Sequence, residues 1–265
     1  MANNPRTYWN AEVYDRIGTP MRRWAQAVFD DLALRGDETV LDAGCGSGSV
    51  TFDLLAKLPR GKIYAVDSSP DMIAKLTASI QERGETRVIP MRADLTDFAL
   101  PESVDVVFSN AVLHWIPDDD ALFTCLLRAA KPGGRFRAQC GGSKNIARLL
   151  AAVKTVKQRE PFAPHLAGTK DGRKYRTAED AKAAMERCGW ADVHASVFES
   201  GVVFEREDDA VLYLHTIILQ DHVSRLPEPQ QEPYLRAVIA ETIHMYGAPF
   251  TADYVRLDLW ATRPA

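Results

Sequence analysis

The sequence predicts an α/β fold built on a mostly parallel sheet. Two observations carry this. Short apolar runs alternate with helical stretches through the first half of the chain, the rhythm of strand–helix–strand units. One of those runs, Thr39-Val-Leu41, passes directly into a glycine cluster that opens a helix. The bulk numbers agree: 265 residues, 46% hydrophobic, with 32 Lys+Arg against 36 Asp+Glu for a net charge of −4. Such a chain is globular rather than disordered, and its length serves one large domain without disulfide or metal staples.

The elements follow in order. Residues 20–34 place Met21, Trp24, Ala25, Val28, Leu32 and Ala33 on one helical face, with Pro20 suited to the first turn. After the strand at 39–41 and the glycines, Val50 to Leu58 reads as a helix, and Lys62 to Val66 as a strand ending at Asp67. Ser69-Pro70 opens the next helix, Ser as cap and Pro at the first helical position. Strands follow at Arg87–Met91 and Val104–Phe108. Asp118 caps a helix through Ala130, and Lys131-Pro-Gly-Gly134 turns into a strand at Arg135–Cys140. Beyond Gly142 the pattern becomes more helical: 145–158, Thr177 to Cys188 stopped by Gly189, 207–223 and 228–246, with strands at Val193–Phe198 and Tyr254–Trp260.

The four cysteines, Cys45, Cys125, Cys140 and Cys188, are 80, 15 and 48 residues apart. No C-x-x-C pair is present, so free and mostly buried thiols are expected, with no metal site. The six histidines show no metal spacing either. No basic-then-apolar leader opens the chain and no uninterrupted apolar run is long enough to span a bilayer, so the expectation is a cytoplasmic protein with no membrane partner. Slight acidity argues against nucleic acid.

The glycine cluster is the strongest signal: Val40-Leu-Asp42-Ala-Gly44-Cys45-Gly46-Ser-Gly48. A dinucleotide loop asks for G-x-G-x-x-G/A, and the last position of that pattern is Ser49 here. The actual spacing is G-x-G-x-G after an aspartate. Asp67 ends the next strand, where a carboxylate accepts ribose hydroxyls from either kind of ligand. The glycine spacing is therefore what discriminates.

Asp42-x-Gly44-x-Gly46-x-Gly48 resembles motif I of class I S-adenosylmethionine-dependent methyltransferases. The resemblance implies a Rossmann-like seven-stranded mostly parallel sheet with helices on both faces and a helical insert capping the active site. It implies S-adenosyl-L-methionine as cofactor and S-adenosyl-L-homocysteine as product. Asp42, Gly44, Cys45, Gly46 and Gly48 would wrap the ligand, with Asp67 and Ser68 at its ribose. Ala93, Asp94 and Leu95 resemble the adenine-binding turn; Asp94 as a simple helix cap is the other reading. Met72 packs on the adenine or belongs to the core. Asn110 lies in the segment resembling motif IV, which lines the transferable methyl.

His114-Trp115-Ile-Pro117-Asp118 resembles a segment of the trans-aconitate methyltransferase and malonyl-acyl-carrier-protein methyltransferase group. Asn145-Ile-x-Arg148-Leu and Glu160-x-Phe162-Ala-Pro164 extend the likeness. It implies one methyltransferase domain over 1–265, with N-terminal helices at 1–36 over the cofactor and a cofactor half at 37–142. A substrate-side half at 143–265 would carry a helical lid at about 205–248. Tyr14 matches a tyrosine that reaches the cofactor, or is an aromatic staple. Arg23 meets a carboxylate of cofactor or substrate, or is surface.

The acceptor is expected to be a small molecule, most simply a carboxylate oxygen, which is ionised at neutral pH and needs no base. A hydroxyl, amine or carbon acceptor would need one, and His114 is the candidate. Trp115 would wall the site. Charge is unevenly spread: residues 144–187 hold 11 Lys/Arg against 5 Asp/Glu, +6 within a chain of −4. Such a field steers an anionic acceptor or an acidic acyl carrier protein, or is simply a solvated face. A cofactor-binding scaffold without chemistry is the reading from another class. Oligomeric state is not encoded in any motif.

Overall fold

The computed structural model describes residues 23–265. The chain divides into two compact units. Among the described residues, one comprises 23–143, Gly172–Phe198 and Arg256–Ala265; the other comprises Lys144–Asp171 and Glu199–Val255.

The first unit is built on the expected sheet. In chain order it holds helix α1 (residues 23–31), β1 (Thr39–Ala43), α2 (Ser49–Leu55), β2 (Lys62–Asp67), α3 (Pro70–Arg83), β3 (Val88–Arg92) and β4 (Val104–Asn110). A short 3-10 turn at Leu113–Trp115 leads to α4 (Asp119–Ala129) and β5 (Ala130–Gly141). The chain later contributes α7 (Ala178–Arg187), β6 (Ala191–Glu199) and β9 (Val255–Thr262). Seven strands run in the order β3-β2-β1-β4-β5-β9-β6. Pairing from β3 through β5 is parallel, and β9 joins β5 antiparallel.

Why the central strands read as continuous apolar runs is visible in their burial. Successive residues point to opposite faces, and both faces are covered. Val40, Ile63, Val106 and Phe108 pack with Val28, Leu54 and Leu76 on one side. Leu41, Tyr64, Val107 and Phe136 pack with Leu122, Leu126 and Met185 on the other. Helix ends follow the expected chemistry. Ser69 Oγ accepts from the Met72 N–H at 3.3 Å with Pro70 at the first position, and Gly84 closes α3 at φ 62°. Asp118 caps α4 and Thr177 caps α7, each accepting at 3.0 Å.

Two details differ from expectation. The Lys131–Gly134 turn does not precede the strand but lies within it. Val104 pairs with Ala130 and Val106 with Arg135, so residues 131–134 loop out as an irregularity in β5. The sheet also anchors α1 through arginines. Arg137 reaches Asp31 at 2.6 Å and Asp258 at 2.7 Å, and the fully buried Arg256 lies 4.3 Å from the Trp24 ring centre.

The second unit contains α5 (Ala147–Val156), α6 (Ala163–Leu166), a two-stranded pair of β7 (Val202–Val203) with β8 (Thr251–Ala252), α8 (Glu207–Tyr213), α9 (Gln220–Arg225) and α10 (Glu228–Tyr246). The expected helix at 207–223 is interrupted by a π-helical turn at Leu214–Ile218. An N-terminal helix end needs acceptors for its N–H groups. For α5 they come from Asp253, whose carboxylate accepts from Arg148 and Leu149 at 2.8 and 3.2 Å. Tyr213 and Tyr254 share a buried hydroxyl contact of 2.8 Å. No helix among the described residues is long and apolar enough to cross a membrane.

Candidate active site

In open parallel sheets the strand ends converge on one edge, and ligands bind there. The β1 end supplies the glycine loop. The Gly44 and Cys45 N–H groups both donate to Val66 O, at 2.8 and 3.0 Å, tying the loop to β2. Gly44 and Gly48 both sit at positive φ, 85° and 90°. A Cβ at Gly44 would lie 2.3 Å from Val112, and one at Gly48 2.4 Å from Leu76. These two positions admit no other residue without displacing the core. Gly46 is different: a Cβ there would meet nothing within 4 Å. That open space above exposed backbone suits close approach of a ligand.

The acidic residues are brought together around this loop. Asp67 Oδ2 accepts from the Gly46 N–H at 2.9 Å, and Oδ1 accepts from the Ser69 N–H at 2.9 Å. Each oxygen keeps lone-pair capacity for a hydroxyl. Asp42 is 2% exposed and accepts from Thr51 Oγ1 at 2.6 Å. Burial pushes its carboxyl up to about 7, the Thr51 hydroxyl pulls it down, and neighbouring Asp67 adds to the rise. Cys45 is an inert thiol: burial and then the Asp42 and Asp67 carboxylates push it far above its ordinary range.

The remaining predicted residues fall along the same edge. Ser68 is exposed beside Asp67. Met72 is 36% exposed, which removes it from the core. Asp94 Oδ1 accepts from both the N–H and hydroxyl of Thr96, at 2.9 and 2.7 Å, and these bonds hold its carboxyl below the usual range. It shapes a turn rather than capping a helix, between half-buried Ala93 and buried Leu95. At the β4 end, Asn110 Oδ1 is buried and has no hydrogen-bond partner among the described residues. A buried carbonyl oxygen left unpaired is costly, which makes this atom a candidate acceptor for a ligand donor. Ala111 follows at φ 61°, a strained conformation for alanine, with its N–H fixed on Gln139 O at 2.7 Å. Tyr14 lies outside the described residues, and Arg23 is exposed.

His114 and Trp115 are presented by the 3-10 turn after β4. Trp115 is 56% exposed, so it is not core. His114 is 8% exposed, and its Nδ1 accepts from the Gly141 N–H at 3.3 Å. That bond assigns the proton of the neutral ring to Nε2.

Sequence reasoning missed the residues that hold this turn. Arg176, 3% exposed, donates to Leu113 O at 2.8 Å and Ile116 O at 2.5 Å, bracketing His114 and Trp115, while its Nε meets Asp119 at 2.7 Å. Lys174 joins Asp119 at 2.9 Å, and its N–H donates to His114 O at 2.7 Å. Burial pushes Asp119 up, but the Arg176 and Lys174 bonds outweigh it and hold the carboxyl low. The His114 ring stacks on Tyr175 at 5.7 Å. The available signal was alternation: Lys174 and Arg176 face one way from an extended segment, Arg173 and Tyr175 the other. Much of the basic stretch is thus committed to local pairs, Arg187 with Asp120 and Arg159 with Glu241 among them. Among the described residues no three His, Cys, Asp or Glu side chains come together as metal ligands do.

This strand order, glycine loop and acidic strand ends define the class I methyltransferase fold. Residues 40–134 match the family described as a methyltransferase domain. Over those residues the chain is similar to methyltransferase domains. It is 33% identical over 131 residues to the trans-aconitate 2-methyltransferase of Azoarcus sp. (strain BH72), covering 49% of this chain and 50% of that one. It is 32% identical over 158 residues to an uncharacterized methyltransferase of Schizosaccharomyces pombe, covering 57% and 58%. The matches thus span only about half the length of these relatives. In fold it is similar to Haemonchus contortus phosphoethanolamine N-methyltransferase 2, solved with phosphomonomethylethanolamine and S-adenosylhomocysteine. The TM-score there is 0.63 at 16% identity, over 96% of this chain and 56% of that one.

Proposed function

We propose that the protein transfers the methyl group of S-adenosyl-L-methionine to a carboxylate oxygen of a small organic acid. The observation that carries this reading is the state of His114. Its Nδ1 is engaged by the Gly141 N–H, so that nitrogen does not serve as a base. A carboxylate is the acceptor that needs no base. The similarity to trans-aconitate 2-methyltransferases supports the same class of acceptor.

The protein's own groups fit the cofactor. Asp67 is oriented by two backbone N–H groups and accepts the ribose hydroxyls. The open face of Gly46 admits the ligand, and Asn110 Oδ1 accepts from its ammonium group. Asp42 beneath the loop favours a cationic ligand once ionised. Met72 covers the adenine and Asp94 closes its edge. His114 Nε2–H orients the acceptor, and Trp115 keeps water away from it. When bound, the cofactor supplies a methyl on a positively charged sulfur; the carboxylate oxygen takes it in line, the electron pair stays on sulfur, and S-adenosyl-L-homocysteine leaves.

Calorimetry with S-adenosyl-L-homocysteine and NADH side by side tests the cofactor, followed by turnover of a panel of mono-, di- and tricarboxylates. Binding of the thioether and methylation of acids is expected. Binding of NADH alone, or tight thioether binding without turnover of any acid, would overturn the proposal.

A further inference from the structure

We propose that the outer edge of β6 joins two copies of this chain, their sheets meeting there as one across a twofold axis. Among the described residues β6 is the last strand of the sheet, so its outer edge pairs with no described strand. Such an edge carries a row of N–H and C=O groups that templates another strand. The two edges of this sheet are built differently. β3 is five residues long, with Pro90 inside it and Arg92 at its end, features that keep an edge from recruiting a partner. β6 runs for nine residues without proline, lysine or arginine. Its last part is apolar and open: Val197 is 45% exposed and Phe198 42%.

Charge and register select a second copy as the occupant. Val193, Ala195 and Val197 share one face of β6, and Val193 belongs to the core on that side. Asp192, His194, Ser196 and Phe198 share the other, where the His194 ring lies 5.8 Å from that of Trp260 on β9. Residues 191–198 carry one carboxylate, Asp192, which already accepts from the Thr262 hydroxyl at 2.7 Å. An edge so nearly neutral does not call for a charged strand and does not repel its own copy. In an isologous contact the strand meets itself antiparallel, and opposed residues lie on the same face. With the axis at Ser196, Val197 falls opposite Ala195 of the second copy and Phe198 opposite His194. Each exposed apolar side chain thus gains an apolar or aromatic neighbour, twice over by symmetry. The acids meet no acid, since Asp192 falls opposite Ser200 and Glu199 opposite Val193. An axis at Ala195 would instead set Phe198 against Asp192, a poorer register.

The test is sedimentation velocity of the full chain, wild type and Phe198→Lys, from about 1 to about 100 µM. The wild type should run at twice the chain mass by about 10 µM. Phe198→Lys, which puts a charge on the edge, should raise the dimer Kd at least about tenfold with an unchanged circular dichroism spectrum. A second variant reads the register. Ser196→Cys should cross-link two copies on oxidation with diamide, because opposed Cα atoms lie about 4.5–5.5 Å apart, within disulfide reach. His194→Cys should not exceed the wild-type background, since the pairing sets it roughly 14 Å from its copy along the strands. A wild type that stays monomeric at about 100 µM would overturn the proposal and leave the edge to a strand of another protein. So would a dimer that Phe198→Lys leaves intact, or one in which Ser196→Cys fails to cross-link. None of these readouts depends on the methyl acceptor.

Discussion

Asp42→Asn should stabilise the ligand-free protein above neutral pH while weakening its cofactor site. Burial raises the Asp42 carboxyl from 3.8 to about 7 in the folded chain. Between those values the folded state holds a proton that the unfolded state has released. Stability therefore falls as pH rises from about 4 to about 7 and levels off above. At about 1.4 kcal/mol per pH unit the full loss is at most about 4 kcal/mol. Asparagine cannot ionise, and its carbonyl can still accept from Thr51. The variant should match the wild type near pH 4 and exceed it at pH 8. At roughly 2 °C per kcal/mol, the Tm gap at pH 8 should reach about 8 °C. Thermal unfolding in steps from pH 4 to pH 8.5 checks this. The same substitution should cost S-adenosyl-L-methionine affinity, and wild-type binding below pH 7 should release a proton as Asp42 ionises. A Tm difference that does not change with pH would refute the reasoning.

Three further outcomes are expected. Gly46→Ala should cost only about 1 kcal/mol of stability, since its Cβ meets nothing, yet weaken cofactor binding at least tenfold by calorimetry; Gly48→Ala should destabilise by about 2–4 kcal/mol in denaturant unfolding through its clash with Leu76. His114→Gln should raise the acceptor KM with kcat within about threefold; a collapse of kcat at constant KM would mark a base and so a different acceptor. Arg176→Met should lower stability by about 2–3 kcal/mol in denaturant unfolding, because it leaves the Leu113 and Ile116 carbonyls unpaired and Asp119 with Lys174 alone.

The cofactor side was legible because its demands are local. A glycine run between a buried strand and a helix, with an aspartate one strand later, states its geometry within about 30 residues, and the sheet order followed. Ser69, Asp118 and Thr177 are local signals too, and each caps the helix it announces. What escaped is long-range. Arg176 and Asp119 are 57 positions apart, and nothing in either neighbourhood names the other. The Arg137 grip on α1 spans 106 positions. In composition Arg176 looked like part of a basic field, whereas in the fold it is a buried bolt. The π turn at Leu214–Ile218 was hidden for another reason. It adds residues to a helix without altering its apolar pattern.

The most direct test of the account follows a labelled methyl group. Protein incubated with methyl-labelled S-adenosyl-L-methionine and di- and tricarboxylates should place the label on an acid. Mild alkali should then release it as methanol, as expected of an ester. Label that stays on its carrier through alkali, as an ether, amine or carbon-bound methyl would, or no transfer to any acid, would contradict the account.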